Sequence, residues 1–463
     1  MPTGEVHVEP FLHLVDATEN AALVAWGAFH FTRDTVSDCW RIVDDSDLPE
    51  FGRHTCIGHG AEPFGEARVE VYDETGTTVA GASTSDRSWV WVEGLEPDTE
   101  YRYRVTVDGE EWAAGERWDW VEDPRGGYDL APARRSYDLR FHTFPRLDDP
   151  TPPLTFLALG DYGVGIRSDS ESSRRQRRIA EVLDRLVDTR DVRFVLSLGD
   201  NIYQGEQGAV DDESGGEDDD WYSSFFQPYR YAVARVPFFP TIGNHDTTDT
   251  EGSDDRAQME DNFHLESRFD RPGRSQTGPG LFYTVRVGRD LELVCFDTSM
   301  DPEEGIHRHF QGPEQAPWLE EVFAEPDVRW RIPFSHHPTY CAGPHHENDQ
   351  DIIESLVPLF DRADVRLVLA GHEHNFQIGR VGRRTYLLSG AGGKVRDDAP
   401  QRLGETGVDA WAAHSHLVIA EVSGTQARLT PVTGLGPDGQ LQLLTAQTAD
   451  KQLVRSPFRV DGG

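Results

Sequence analysis

The first third of the chain alternates apolar and polar residues in short runs. Five runs rich in Val, Trp, Tyr and Thr occur between residues 20 and 145: AALVAWGAFHF, EARVEVYDE, SWVWVEGL, TEYRYRVTVDGEEW and YDLRFHTF. A period of two is typical of strands with one buried face, and the Gly, Pro and Asp residues between the runs are turn formers. The pattern predicts an all-β sandwich. Within it, Leu95, Pro97, Thr99 and Tyr101 are spaced as in a tyrosine corner, where a Tyr hydroxyl binds a backbone turn between two strands.

The pattern changes after residues 145–153, PRLDDPTPP, which cannot continue a strand or a helix. Apolar strands then alternate with amphipathic helices, beginning with LTFLALG, RRIAEVLDRLVDTR and VRFVLSLG. Further strands are predicted at FFPTIGN, LELVCFDT, WRIPF and VRLVLA, and a helix at ESLVPLFDRA. We therefore predict a β-sandwich domain over residues 1–148 and an α/β domain over residues 149–463.

The charge balance limits the classes of partner that the protein is expected to bind. The 463 residues include 82 acidic and 44 basic ones, a net charge of −38. Such a chain repels nucleic acid and anionic membranes, so neither is expected as a partner. The excess acid is consistent with adaptation to salt or with a solubility function. The acidic run at 211–220, DDESGGEDDD, is interpreted as a solvated loop rather than a cation-binding insert.

The cysteines and the amino-terminal sequence give the indications of cellular location. The four cysteines form no CxxC pair, which favours free buried thiols over a zinc knuckle or a disulfide framework. No signal-peptide pattern and no run of membrane-spanning length is visible. A cytoplasmic location is favoured over a secreted mature form that has lost its leader.

Polar motifs follow five of the predicted α/β strands. They are Gly160-Asp161-Tyr162-Gly163, Gly199-Asp200-Asn201-Ile202-Tyr203, Gly243-Asn244-His245-Asp246, Ser335-His336-His337-Pro338 and Gly371-His372-Glu373-His374. Each motif alone is as readily a polar turn as a site. Together they bring carboxylate, phenol, amide and imidazole groups to strand ends, where α/β sheets gather reactive groups. The set predicts a cage for two metal ions.

The series GDYG, GDNIY, GNHD, SHHP and GHEH resembles the purple acid phosphatases of the calcineurin-like metallophosphoesterase superfamily, over about residues 154–395. The phrases FVLSLGDN, AGHEHNFQ and YLLSGAGGK look like the small-enzyme branch of this family. The sandwich looks like the larger plant-type branch and resembles a fibronectin type III module. The resemblance implies a four-layer αββα metallophosphoesterase sandwich after the β-sandwich.

The resemblance also implies a ligand set. Most superfamily members carry a His at the place of Gly163, whereas Tyr203 stands where the purple enzymes have a tyrosinate bound to iron. Carried over residue by residue, Fe(III) is held by Asp161, Asp200, Tyr203 and His374. A divalent ion, Fe, Zn or Mn, is held by Asp200, Asn244, His336 and His372.

Three further histidines are implied as catalytic residues. His245 matches a histidine that hydrogen-bonds the phosphate or protonates the leaving alkoxide, and His337 is a spacer. His345 falls where the family places a second substrate-contacting histidine, and the adjacent His346 is the alternative.

The implied activity is hydrolysis of phosphate monoesters. Two cations neutralise the ester oxygens and turn a water molecule into the attacking hydroxide, and a trivalent ion keeps hydroxide available at acid pH. The substrate is expected to be a small phosphate ester, and by family analogy the sandwich could serve as a homodimer surface. Two alternatives stay open: a phosphodiesterase using the same two-metal site, and a binding protein with a residual metal site.

Overall fold

The computed structural model describes most of the chain. The described residues are 6–42, 65–123, 127–166, 170–203, 220–247, 255–269, 271, 273–276, 281–300, 308–325 and 328–462. The acidic run predicted as a solvated loop therefore lies outside the described residues, except for Asp220.

Eleven of the described strands precede the proline-rich segment and form two antiparallel sheets. Their bounds are β1 Val6–Ala17, β2 Ala21–Asp34, β3 Cys39–Ile42, β4 Ala67–Tyr72, β5 Thr78–Thr84, β6 Trp89–Glu93, β7 Glu100–Val107, β8 Glu110–Glu111, β9 Arg117–Asp123, β10 Gly127–Arg135 and β11 Arg140–His142. One sheet has the order β1-β2-β3-β10-β9 with β6 on β2, and the other has the order β11-β7-β4-β5 with β8 on β7. The predicted β-sandwich is present.

The sandwich core is built by alternating side chains of facing strands. Leu12 and Val24 of one sheet pack against Val69 and Val105 of the other. The tyrosine corner is also confirmed, since the backbone N–H of Glu96 donates to the Tyr101 hydroxyl oxygen at 2.9 Å.

The remaining described strands form two larger sheets. Their bounds are β12 Leu154–Leu159, β13 Val192–Ser197, β14 Phe238–Pro240, β15 Arg274–Gln276, β16 Tyr283–Val287, β17 Leu291–Cys295, β18 Trp330–Phe334, β19 Leu367–Ala370, β20 Phe376–Val381, β21 Arg384–Ser389, β22 Ala410–Ala412, β23 Leu417–Ser423, β24 Gln426–Leu435, β25 Leu441–Leu443, β26 Thr445–Thr448, β27 Leu453–Arg455 and β28 Phe458–Asp461. The first has the order β14-β13-β12-β23-β24-β25 with β28 on β24. The second has the order β15-β16-β17-β18-β19-β21-β20-β22-β26-β27.

Helices cover the outer faces of these two sheets. The described α-helices are α1 Glu171–Thr189, α2 Gln227–Val233, α3 Asp255–Asn262, α4 Gln315–Ala324 and α5 Gln350–Arg362, with a π-helical turn at Tyr222–Phe226 before α2. Phe156 and Phe194 of one sheet meet Ile332 and Leu369 of the other in a shared core. Helices α1 and α2 pack outside the first sheet, and α4 and α5 pack outside the second. The predicted four-layer αββα arrangement is present.

The β-sandwich is packed firmly against the α/β layers. Phe11 lies with its ring centroid 4.4 Å from that of Phe226, and Phe29 lies 4.9 Å from Tyr222. These contacts explain why β2 is buried on both faces over most of its length. One hydrophobic cluster therefore contains side chains of both the sandwich and the α/β layers.

Two smaller expectations can be compared with the described residues. Cys39, Cys295 and Cys341 are free and buried, and Cys56 lies outside the described residues. Among the described helices, none is long and apolar enough to cross a membrane.

Candidate metal centre

The five sequence motifs converge at the carboxyl ends of five strands. Strands β12, β13 and β14 lead into Asp161, Asp200 and Asn244, while β18 and β19 lead into His336 and His372. Backbone hydrogen bonds join these turns: Asp161 N–H donates to Gly199 O at 2.9 Å, and Gly371 N–H donates to His336 O at 2.9 Å. The two sheets thus bring residues 211 positions apart in sequence into one buried cluster.

The turns that carry the side chains have unusual backbone conformations. Asp161, Asp200 and His372 have φ angles of 56°, 51° and 76°, in the left-handed region that non-glycine residues rarely adopt. Such strain concentrates at functional sites because the surrounding structure must maintain it. Gly199, at φ 86°, is required here, since a Cβ on it would lie 2.4 Å from the Nδ1 atom of His336.

Asp161, Tyr203 and His374 form the first group of donor atoms. The Tyr203 hydroxyl oxygen lies 3.3 Å from Asp161 Oδ1 and 3.2 Å from His374 Nε2. His374 Nε2 lies 3.3 Å from Asp161 Oδ1. Three atoms at these mutual distances can serve as ligands on one side of a single ion.

Asn244, His336 and His372 form the second group. Asn244 Oδ1 lies 3.0 Å from His336 Nε2 and 2.9 Å from His372 Nδ1, and the two nitrogens are 3.1 Å apart. His336 Nδ1 donates to the carbonyl oxygen of Leu198 at 2.9 Å, so the lone pair is on Nε2. An amide oxygen and two imidazole nitrogens therefore point at one place.

Asp200 joins the two groups. One of its oxygens, Oδ1, lies 3.3 Å from His336 Nε2 and accepts the backbone N–H of His245 at 3.0 Å. The other, Oδ2, is buried and has no hydrogen-bond partner among the described residues. Asp200 also offers a ligand atom within 4.8 Å of those of Asp161 and His374. A buried carboxylate oxygen with no partner is costly, and a cation between the two groups would satisfy it.

The electrostatics agree with a cation site. Burial raises the pKa of Asp161 to about 6, and burial together with the Asp161 carboxylate raises the pKa of Asp200. Burial lowers the pKa of His374 to about 3 and also lowers the pKa values of His336 and His372. The neutral form of the three histidines is therefore favoured, as metal binding requires, and burial is the main cause that disfavours charge on the two carboxylates. The residues present fit a pair of metal ions.

The predicted catalytic histidines take different positions. His245 is half-buried, and its ring centroid lies 4.5 Å from that of Tyr203 in the first group. The His346 ring lies 3.8 Å from His372 in the second group. The His345 side chain is 47% exposed, and its Nε2 atom lies 3.9 Å from Asp398 Oδ2. The structure therefore brings His245 and His346, but not the His345 ring, into contact with the predicted ligands.

His337, expected as a spacer, has its Nδ1 atom 2.9 Å from the hydroxyl oxygen of Thr298. The ring is buried beside His336 and His372, at 5.1 and 4.3 Å between centroids. His337 therefore packs against both histidines of the second group and supports their orientation.

Asp246 was missed as an organising residue although it ends one of the motifs. Its carboxylate accepts the backbone N–H groups of Asn201, Ile202 and Gly243 at 2.9, 3.2 and 2.8 Å. It also accepts from the Asn201 side chain at 2.8 Å. Asp246 thus fixes the turn that carries Asp200 against the turn that carries Asn244.

Lys394 was also missed. Its Nζ atom lies 3.9 Å from the centroid of the Tyr203 ring. The backbone N–H groups of Gly393 and Lys394 donate to Asp161 O at 2.9 and 3.2 Å, which holds this segment against the first group. The phrase YLLSGAGGK contains this residue, but nothing in its spacing indicated the contact.

Comparison with known proteins identifies a domain family within the chain. A family model described as calcineurin-like phosphoesterase matches residues 154–376, which contain all five motifs. Residues 154–376 form a calcineurin-like phosphoesterase domain. The tartrate-resistant acid phosphatase type 5 of Mus musculus is 27% identical over 257 residues, covering 52% of this chain and 73% of that protein.

Solved structures extend the likeness in fold to nearly the whole chain. The structure of PhoD matches with a TM-score of 0.62 at 15% identity, covering 98% of this chain and 93% of that one. The purple acid phosphatase PPD1 from yellow lupin seeds matches with a TM-score of 0.58 at 14% identity, covering 99% and 74%. The match of residues 154–376 to the calcineurin-like phosphoesterase family, with purple acid phosphatases among the relatives, indicates a hydrolase.

Proposed function

We propose that the protein is an acid phosphatase that hydrolyses phosphate monoesters at a binuclear Fe(III)–M(II) centre. The observation that carries the proposal is the pair of donor groups joined by Asp200, whose buried Oδ2 atom has no hydrogen-bond partner in the part of the chain that the structure describes. Its relatives among acid phosphatases support the same activity.

The ligands are assigned by donor chemistry. Asp161, Tyr203 and His374 would hold Fe(III), because a phenolate and carboxylates are hard, anionic donors suited to a trivalent ion. Asn244, His336 and His372 are neutral donors and would hold a divalent ion, Fe, Zn or Mn. Asp200 would be shared. When bound, the two ions would neutralise the ester oxygens and acidify the attacking water.

The chain's own groups would orient the ester. His245, beside Tyr203, and His346, on His372, lie next to different donor groups and could each bind a phosphoryl oxygen. Either ring could donate a proton to the leaving alkoxide. His346 is preferred to His345 because only the His346 ring contacts a predicted ligand.

The organisation of the chain is part of the proposal. We assign residues 1–148 to a fibronectin III-like domain and residues 149–463 to the catalytic domain. The tyrosine corner at Tyr101 and the two antiparallel sheets support the first assignment.

A comparison of substrates tests the activity. Protein supplied with iron and with zinc or manganese should hydrolyse phenyl phosphate faster than diphenyl phosphate, and a chelator should abolish the activity until metal is returned. Faster hydrolysis of the diester would make the protein a phosphodiesterase. Absence of both bound metal and hydrolysis would support a binding protein with a residual site.

The adjacent residues His345 and His346 allow a controlled mutational test of the site. We expect His346→Asn to lower kcat/KM on phenyl phosphate by about 10- to 100-fold, the range typical of a lost acid–base or orienting group. His345→Asn should stay within about twofold of wild type, because its ring is exposed beside Asp398. If His345→Asn lowers kcat/KM more than His346→Asn does, His345 rather than His346 is the substrate-contacting histidine.

A further inference from the structure

Glu373 lies between the predicted ligands His372 and His374, and its carboxylate is completely buried. Its Oε2 atom accepts two hydrogen bonds from His346, one from the backbone N–H and one from ring Nδ1, both at 2.9 Å. Its Oε1 atom lies 3.5 Å from Nη1 of Arg396. Both carboxylate oxygens are therefore engaged, and a single residue, His346, donates both hydrogen bonds that Oε2 accepts.

The double contact fixes the His346 ring. Because a carboxylate accepts, Nδ1 carries the proton, and Nε2 is the ring nitrogen left to bind another group. The ring itself lies against His372, 3.8 Å away at an interplanar angle of 31°. His346 belongs to a segment without regular secondary structure, so these contacts rather than a helix or strand define its orientation.

Arg396 stabilises the Glu373 carboxylate through its second oxygen, Oε1. Its backbone N–H donates to the carbonyl oxygen of His374 at 2.7 Å, while its side chain faces Glu373. The buried negative charge thus has a cation and two N–H donors around it, which offsets the cost of removing it from water.

We propose that Glu373 is a positioning residue that acts through His346, holding its Nδ1–H so that Nε2 is presented to a phosphoryl oxygen of the ester. The inference rests on the proposed function for the catalytic step, but the phosphate-binding role of His346 can be measured without turnover. A carboxylate that orients an imidazole raises the basicity of its other nitrogen and reduces the freedom of the ring.

A double-mutant cycle tests this role, with Glu373→Gln, His346→Asn and the double variant in the metal-loaded protein. Two quantities are measured: kcat/KM on phenyl phosphate, and the Kd of inorganic phosphate by calorimetry. Each single variant should lower kcat/KM about tenfold or more and weaken phosphate binding. The double variant should be no worse than His346→Asn alone, because Glu373 has nothing left to orient. Glu347→Gln, at an exposed side chain of the same segment that pairs with Arg402 at 3.6 Å, is the control and should leave both quantities within about twofold of wild type.

Several outcomes would overturn the proposal. If the losses multiply in the double variant, Glu373 acts independently of His346. If Glu373→Gln loses metal while His346→Asn keeps two ions per chain, Glu373 supports His372 and His374 instead. If wild type hydrolyses no ester, the proposed function fails, and the phosphate Kd values then decide separately whether Glu373 and His346 are coupled.

Discussion

Asp200→Ala should lower kcat on phosphate monoesters by about a thousandfold or more and leave at most one metal ion per chain. Asp200 is the residue that connects the two donor groups, and no described residue hydrogen-bonds to its Oδ2 atom. A metal ion's stabilisation of charge in the transition state contributes several kcal/mol, and each 1.36 kcal/mol corresponds to about tenfold in rate. Metal analysis of the purified variant, together with its steady-state kinetics, measures both effects.

The control for this loss is Asp438→Ala, which removes a carboxylate from an exposed turn. It should retain two ions and wild-type activity. The metal-free forms offer a second check: the Asp161 and Asp200 carboxylates are buried close together, so metal-free Asp200→Ala should unfold at the same temperature as metal-free wild type or higher. An Asp200→Ala variant that keeps two ions and full activity would contradict the assignment of Asp200 as a shared ligand.

Asp16→Ala should destabilise the whole chain by about 3–5 kcal/mol, the range for removing one partner of a buried ion pair. Arg274 donates from Nε and Nη2 to Asp16 at 3.0 and 2.5 Å, and both side chains are almost completely buried. The pair connects β1 of the sandwich to β15 of the α/β part, so its loss leaves an uncompensated guanidinium at their interface. Denaturant unfolding of wild type and variant measures the difference in unfolding free energy.

A surface ion pair provides the comparison. Arg383 pairs with Asp364, and the two side chains are 69% and 48% exposed. Arg383→Ala should cost less than about 1 kcal/mol, because water screens an exposed pair. Equal effects of Asp16→Ala and Arg383→Ala would mean that the buried pair does not stabilise the interface.

The strands that carry the site could be predicted from sequence because they are buried runs with polar ends. Four of the predicted runs form strands that lead into predicted ligands: LTFLALG, VRFVLSLG, WRIPF and VRLVLA. The tyrosine corner was predictable for a similar reason, since its residues are close in sequence and its geometry is local.

Contacts between distant segments were not predictable in this way. Asp16 and Arg274 are 258 residues apart, and no periodicity relates them. Strand β1 was missed as well: it packs on the other sandwich sheet through Leu12 and on the α/β layers through Phe11, so apolar residues on both faces obscure the alternation. The choice between His345 and His346 depended on an irregular segment, where adjacent side chains have no fixed spacing.

The visible absorption spectrum of the iron-loaded protein tests the central claim most directly. If Tyr203 binds Fe(III) as proposed, its phenolate-to-iron charge transfer should colour the wild type purple or pink. Tyr203→Phe should lose this band while retaining the fold, since the two side chains differ by one hydroxyl group. A wild type that is colourless yet holds two metal ions and is active, or a Tyr203→Phe variant with an unchanged band, would contradict the assignment of iron to Tyr203.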